Sequence, residues 1–502
     1  MATYSEIVEM RKSGNYLAAY DMAMAVKAED PGCLWVNNQI GWCLFEILKA
    51  NASIHKSVEF VQRLQEFADL NKERPLDGFI LKSIVWPIRT FVASCCNEQA
   101  LQENPLYQVF GVMQQIPFDA TDENYGILLG AFVKAKKWGG LKQFIEWWNL
   151  DNIKEKDCQP YVTPDGVKIM PIAEQAYIAY SNILLDEIDR KVANEESVKS
   201  YVERLTQVNS WRPEFQYTNY YRAKLLLGIG RNEEAIAALM PFVKKKAKDY
   251  WVWDLLGDAE TDEDLRMSCY CKALSCSGKE QFLRKLHLKL CDLLLKKGLY
   301  DEARVELNTA ITISNDNGWA IPLKYQDYTT ESWYQSAKGN GTNTEFYKSN
   351  SQAAEQLAYS DYPQIAIVVV YINKEKQIAN FVSTEHKTGF FSCRGLNCKV
   401  GGTYICQMEN DNGNHHKIYT CMPTDGEKLG LIKSFSGKLS VKMGGYGLVN
   451  DVFVPVSITQ NYENGAYITG LALPSYDEKK GKWGWKAYQI TTKNKQEAAI
   501  NT

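Results

Sequence analysis

Histidine is scarce in this chain. Five are present in 502 residues: His55, His287, His386, His415 and His416. That leaves little material for histidine-based metal or acid–base centres. The common catalytic signatures are missing too. There is no Gly-x-x-x-x-Gly-Lys-Ser/Thr phosphate loop, no His-Glu-x-x-His helix and no Gly-x-Ser-x-Gly elbow. No run of about 18 apolar residues occurs, so no membrane span is expected. Met1–Tyr20 lacks a basic stretch followed by an apolar core, so no secretory leader is expected. Neither sign of charge dominates. Lys and Arg number 57, Asp and Glu 60, for a net charge of -3. This excludes a uniformly basic nucleic-acid coat and leaves room for a local basic surface.

What is present is ordinary globular composition, 45% hydrophobic and 23% charged, which argues against wholesale disorder. The length predicts two to four units at roughly 100–200 residues per domain. Thirteen cysteines, an odd number scattered through apolar patterns, read as reduced, buried thiols of a cytoplasmic protein.

Charge and pattern change along the chain. From Asp361 onward there are 16 basic and 12 acidic residues; before it there are 41 and 48. The first part shows helical periodicity with Leu, Ala and Glu. The second is rich in Val, Ile, Gly, Tyr and Phe, with alternation and turn dipeptides. An all-α part followed by a β part is expected.

The α part repeats one construction. In Gly14-Asn15-Tyr16-Leu17-Ala18-Ala19, a Gly ends one helix, an aromatic opens the next, and small residues allow two helices to approach. Gly230-Arg231-Asn232-Glu233-Glu234-Ala235 and Gly298-Leu299-Tyr300-Asp301-Glu302-Ala303 repeat it. Gly41 follows Gly14 by the same offset that separates Gly257, in Trp253-x-x-Leu256-Gly257, from Gly230. These residues resemble the tetratricopeptide repeat, a helix–turn–helix unit. The likeness is clearest over residues 1–67 and 216–316. Between 68 and 213, Pro87, Pro105 and Pro117 interrupt the register, and irregular helix pairs are expected around Asp77–Cys95, Asn124–Trp148 and Ala173–Ile188. The resemblance implies a superhelical array over 1–316 with a groove for a protein or peptide partner. A connector over 317–361 follows, with helices at Leu323–Ala337 and Phe346–Ser360.

The β part reads as two small barrels, 362–424 and 431–492. Strands are expected at Ile365–Ile372, Ile378–Ser383, Gly389–Arg394 and Gly402–Met408, then at Gly437–Met443, Gly447–Val449, Val452–Ile458, Tyr467–Leu473 and Trp485–Ile490. The run Gly437-Lys438-Leu439-Ser440-Val441-Lys442, then Tyr446-Gly447-Leu448-Val449, then Asp451-Val452-Phe453-Val454-Pro455 resembles the cold-shock type of OB domain. That resemblance implies a sheet face on which bases of single-stranded nucleic acid stack. Tyr446 and Phe453 match stacking positions and Lys442 a nearby basic one, with Lys438 on the same face by alternation. Leu448 and Pro455 depart from the family pattern, standing where it has an aromatic and a His. In the first barrel Phe390 and Arg394 make a looser match. Lys482, Trp483, Trp485 and Lys486 form an aromatic–basic segment that suits stacking on bases and contact with phosphate.

Catalysis finds no comparable support. His287 lies in an apolar helical run and reads as packing. Glu233 and Glu234 lie on a solvated helix face. Cys393, Cys398, Cys406, His415, His416 and Cys421 have soft-metal donors without the tight spacing of a zinc knuckle, and Cys269, Cys271 and Cys276 fall on one helix. No catalytic residue, metal or cofactor is expected. The expected function is a non-enzymatic adaptor that binds single-stranded RNA or DNA, RNA favoured, with its barrels and a protein with its helices. A stress-response or phage-conflict setting is implied by the architecture. The alternative is a pure protein scaffold whose barrels bind no nucleic acid.

Overall fold

The computed structural model describes residues 2–97, 100–276, 278–394 and 396–491. The end expected for the second barrel, Thr492, lies outside them. Two compact units make up the chain, 1–239 and 240–502. The first 360 residues are helical and the rest is β-rich.

Local chemistry explains the helix boundaries. Thr3 caps the first helix, Tyr4–Lys12, in a reciprocal arrangement with Glu6. The Asp262 carboxylate accepts from the Asp264 and Leu265 amides ahead of helix Glu263–Ser275. The repeated glycines end helices in one way. Gly14, Gly230 and Gly298 have φ of +88°, +76° and +71°, a region that costs glycine little. At each, the next amide donates five residues back: Asn15 to Met10, Arg231 to Leu226 and Leu299 to Leu294, at 3.2, 2.9 and 3.0 Å. This is the Schellman closure of a helix end. Five residues past each glycine stands a buried alanine: Ala19, Ala235 or Ala303.

The middle of the first unit adds a feature that the sequence reading missed. A small hairpin, β1 (Tyr161–Val162) and β2 (Lys168–Ile169), precedes the 18-residue helix Ile172–Asp189. The stretch Gly78–Cys96 is long and apolar enough to cross a membrane by length and composition. Here it is two helices, Gly78–Ser83 and Val85–Cys96, whose Ile80, Ile88, Phe91 and Val92 are buried.

In the second unit, the connector is four short helices: Leu323–Tyr328, Ser332–Ser336, Thr344–Asn350 and Gln352–Ala358. Asp292 accepts from Lys324, Tyr325 and Tyr328, pinning the first of them to helix Glu280–Lys296. Glu306 is fully buried and meets His287, Asn343 and Tyr347. That network ties the third short helix to the array and explains His287.

The first barrel is closed, in the order β3-β4-β5-β7-β6. Its strands are β3 (Gln364–Asn373), β4 (Ile378–Ser383), β5 (Thr388–Ser392), β6 (Thr403–Asn412) and β7 (His415–Pro423). Ile367, Val369, Phe381, Phe391 and Cys406 fill it. The second has β8 (Lys433–Lys438), β9 (Ser440–Val441), β10 (Gly447–Val449), β11 (Val452–Val454), β12 (Tyr467–Asp477) and β13 (Lys482–Ile490), ordered β8-β12-β13-β11-β10-β9. β8 and β9 flank Leu439 and are two halves of one bent strand. The sheet therefore curls until its two edges belong to the same run of chain. Counted so, both barrels have the order 1-2-3-5-4, and in both the third and fifth strands pair in parallel. That is the OB arrangement.

Candidate nucleic-acid interface

Alternation along the short strands of the second barrel sorts its side chains. Phe435, Leu439, Val449, Val452, Val454, Ile468 and Ala472 point inward and fill the core. The residues between them point out. Cross-strand register then aligns an outward row: Ser440 opposite Leu448, Leu448 opposite Phe453, and Phe453 beside Lys486. Tyr446 precedes Leu448 by two residues and joins this face. Its ring and that of Phe453 lie 5.4 Å apart at 28°, and the two are 37% and 38% exposed. An offset ring pair held open to solvent on a sheet is a platform for a planar base.

The surrounding charges favour an anion. The Lys442 amide donates to the Tyr446 carbonyl at 2.8 Å, and its ammonium donates to the Ser440 hydroxyl at 2.9 Å and forms no ion pair among the described residues. Lys486 lies beside Phe453, whereas Lys438 and Lys482 stand opposite Tyr467 and Asp477 of β12; all three are exposed and form no ion pair among the described residues. The nearby acid, Asp451 in the β10–β11 turn, is engaged by Lys433 at 2.6 Å, which holds its carboxyl below the ordinary range. Three further exposed groups that the sequence reading did not single out lie on the second barrel: Met443, fully exposed in the β9–β10 turn, Val456 and Tyr467. The Tyr467 hydroxyl lies 2.9 Å from that of Ser436, on the strand pair that carries Lys438.

The two departures from the cold-shock pattern have structural consequences. Leu448 is half-buried next to Phe453 and extends the platform as an aliphatic surface. Pro455 ends β11: the expected strand Val452–Ile458 stops at Val454, and Pro455 opens the short helix Val456–Thr459. The proline ring cannot donate to a ladder, so the chain leaves the sheet here.

The aromatic–basic segment is divided. Trp483 is half-buried and stacks on His386 of the first barrel, at 4.8 Å and 22°. It packs with Val368, Val382, Leu431 and Leu473, the apolar seam between the barrels. Trp485 packs against the second barrel's core, with the Lys433 ammonium 5.8 Å from its ring centre. Both tryptophans thus face packing while Lys482 and Lys486 face solvent. Phe390 is half-buried, 5.4 Å from the His415 ring, and Arg394 is exposed in the turn after β5. These two lie on the first barrel, apart from the Tyr446–Phe453 pair. Among the described residues, no three of His, Cys, Asp or Glu are grouped to hold a metal ion; Cys406 faces Cys421 across β6 and β7 as part of the core.

With this geometry in view, comparison with known families separates two segments. Residues 433–490, which span β8 to β13, match a family described as S1/CSD-like domain 2 of the TOTE conflict systems. The C-terminal domain is OB/cold-shock-like. Residues 216–354, the later helices and most of the connector, match a domain of unknown function, DUF7017. No curated protein matches the chain.

Proposed function

We propose that the protein is a non-enzymatic, cytoplasmic adaptor of a conflict system. It binds single-stranded nucleic acid, RNA favoured, on the outer face of the second barrel, and a protein through its helices, without a membrane role. The observation that carries this reading is the exposed Tyr446–Phe453 pair flanked by Lys442 and Lys486, with Asp451 neutralised by Lys433. The likeness of residues 433–490 to an S1/CSD-like domain supports it. The three identical helix closures support a tetratricopeptide-like array as the protein-binding part.

The scaffold alternative draws on Leu448, Pro455 and the half-buried tryptophans. Fluorescence anisotropy with the full chain and labelled single-stranded RNA and DNA, at two salt concentrations, separates the two. The adaptor reading expects binding that weakens with salt and falls about fivefold or more on Phe453→Ala or Tyr446→Ala. No binding to either strand would leave the scaffold reading.

A further inference from the structure

A cavity lies in the first unit, in the stretch where the repeat pattern is blurred. It has a volume of about 1020 Å³ and opens along helix Ile172–Asp189. Gln175, Ile178, Asn182, Ile183, Glu187 and Arg190 line it at helical steps. The floor is therefore a stripe about 22 Å long, at 1.5 Å per residue. Its middle is apolar, through Ile178 and Ile183, and its ends are polar. The opposite wall is the turn that carries Lys136 and Lys137.

Charge on this groove is unbalanced. Lys142 is bound to Glu187 at 2.8 Å, and Arg190 to Asp186 at 2.7 Å. Lys136 and Lys137 are exposed and form no ion pair among the described residues. The Trp138 side chain, 3% exposed at the same wall, leaves its indole N–H without a hydrogen-bond partner. Such a donor loses free energy when buried unpaired, but solvent does not reach the nitrogen, so the case for an occupant rests on the free lysines and the apolar floor. At the mouth, Ile169 is 41% exposed, on a hairpin whose Val162 and Val167 are also in water.

We propose that this groove binds a short acidic peptide segment of a partner protein. Its apolar side chains rest on Ile178 and Ile183, and its carboxylates meet Lys136 and Lys137. An extended segment of about seven residues fits the floor at roughly 3.3 Å per residue. Nucleic acid fits less well, since Asp186 and Glu187 stand in the floor. A small anion would leave the apolar hairpin uncovered. The inference rests on the protein-binding half of the proposed function and is independent of the barrel face.

The test is selection from a random-peptide phage library on the immobilised full chain. Enriched peptides are then titrated against wild type, Lys136→Glu/Lys137→Glu and Ile183→Asp. The expected result is enrichment of acidic peptides with apolar anchors, and a loss of about tenfold or more in affinity with each variant. The double lysine variant changes exposed residues only, so it keeps the fold even if Ile183→Asp does not; circular dichroism checks both. No enrichment, enrichment of neutral or basic peptides, or equal affinity for wild type and the lysine variant would overturn the proposal. RNA anisotropy on the same proteins distinguishes the two readings. RNA binding that depends on Lys136 and Lys137 reassigns the groove to nucleic acid and overturns the peptide. Peptide failure with intact RNA binding removes this inference alone, and loss of RNA binding on Phe453→Ala bears only on the barrel.

Discussion

The two barrels share one strand order and differ in what they turn outward. In the first, the outward row across strands one, two, three and five is Tyr371, Asn380, Phe390 and His415. In the second it is Ser440, Leu448, Phe453 and Lys486. The third-strand aromatic is common to both. Its setting is not. Phe453 stands in water beside Tyr446, whereas Phe390 is half-buried against His415. The first barrel is also held on two sides. Gln407, almost fully buried, donates to the Tyr359 carbonyl at 2.8 Å, and Tyr419 stacks on Tyr359, fixing it to the last connector helix. Val368 and Val382 meet Leu473 of the second barrel. A fold places ring positions; neighbours decide whether a ring remains available for a base.

The sharpest way to break the comparison is at backbone contacts. A Cβ on Gly470 would lie 2.3 Å from the Gln489 carbonyl oxygen of β13. A backbone atom has little room to yield, so Gly470→Ala is expected to cost about 3 kcal/mol. A glycine on the third strand of the first barrel offers the contrast: a Cβ in Gly389→Ala meets the His416 ring at 2.6 Å and the Phe381 ring tip at 2.9 Å. Side chains can rotate, and about 1–2 kcal/mol is expected. Amide exchange followed strand by strand separates the two, with faster exchange in β12 and β13 for the former.

Next in size is the binding contrast. Loss of one stacked base is worth roughly 1–3 kcal/mol, so Phe453→Ala is expected to weaken RNA binding about 5- to 150-fold. Phe390→Ala is expected to change it less than about threefold, because that ring is already packed. Equal losses would mean that both barrels present a stacking surface. Trp483→Ala sharpens the same point. It removes the ring stacked on His386, so exchange should rise along the seam while RNA affinity stays within about twofold. A large loss of affinity would return Trp483 to the binding face.

These contrasts also mark what sequence alone reveals. The α-to-β order, the Schellman turns and most strands follow from glycine positions and period-2 alternation, both local signals. Phe453 is legible for the same reason, lying between the inward-facing Val452 and Val454. Tyr371 is not. A bulge between Val369 and Tyr371 shifts the phase of β3, so simple alternation misplaces it. β7 escaped notice because His415–Pro423 mixes polar and apolar residues without a clean period. Trp483 could not be assigned to the seam, because its partner His386 lies 97 positions away in sequence and belongs to the other barrel. The groove along Ile172–Asp189 was invisible for a similar reason. Its floor is a regular helix, and only the turn opposite makes it concave.

Smaller effects come from charge. Each phosphate released from a single strand lowers the salt slope by about 0.7. Lys442→Ala and Lys486→Ala are each expected to reduce it by that amount, and Arg394→Ala, on the first barrel, to leave it unchanged. Anisotropy titrations over a range of salt measure this directly.

The smallest difference concerns two turns that join the second and third strands. In the second barrel, Asp451 reaches Lys433 on the first strand at 2.6 Å; in the first, Glu385 pairs with Lys387 within its own turn at 2.7 Å. The partner lysine holds each carboxyl below its ordinary value. A depressed carboxyl contributes stability above its unfolded value, and the contribution disappears as pH falls through the folded one. Nothing is therefore expected to change between pH 8 and 5, and loss begins only below the ordinary aspartate value of 3.8. Since Asp451 is 61% exposed, solvent screening limits the ion pair to a few tenths of a kcal/mol, on the order of 0.3. Urea unfolding should show Asp451→Asn slightly less stable than wild type at neutral pH and indistinguishable from it in acid. Glu385→Gln should match wild type throughout, because Glu385 and Lys387 are two residues apart and can pair in the unfolded chain as well, so the lowered value does not separate the two states. An Asp451→Asn effect that persists in acid would assign the residue to the geometry of the β10–β11 turn instead of to its charge.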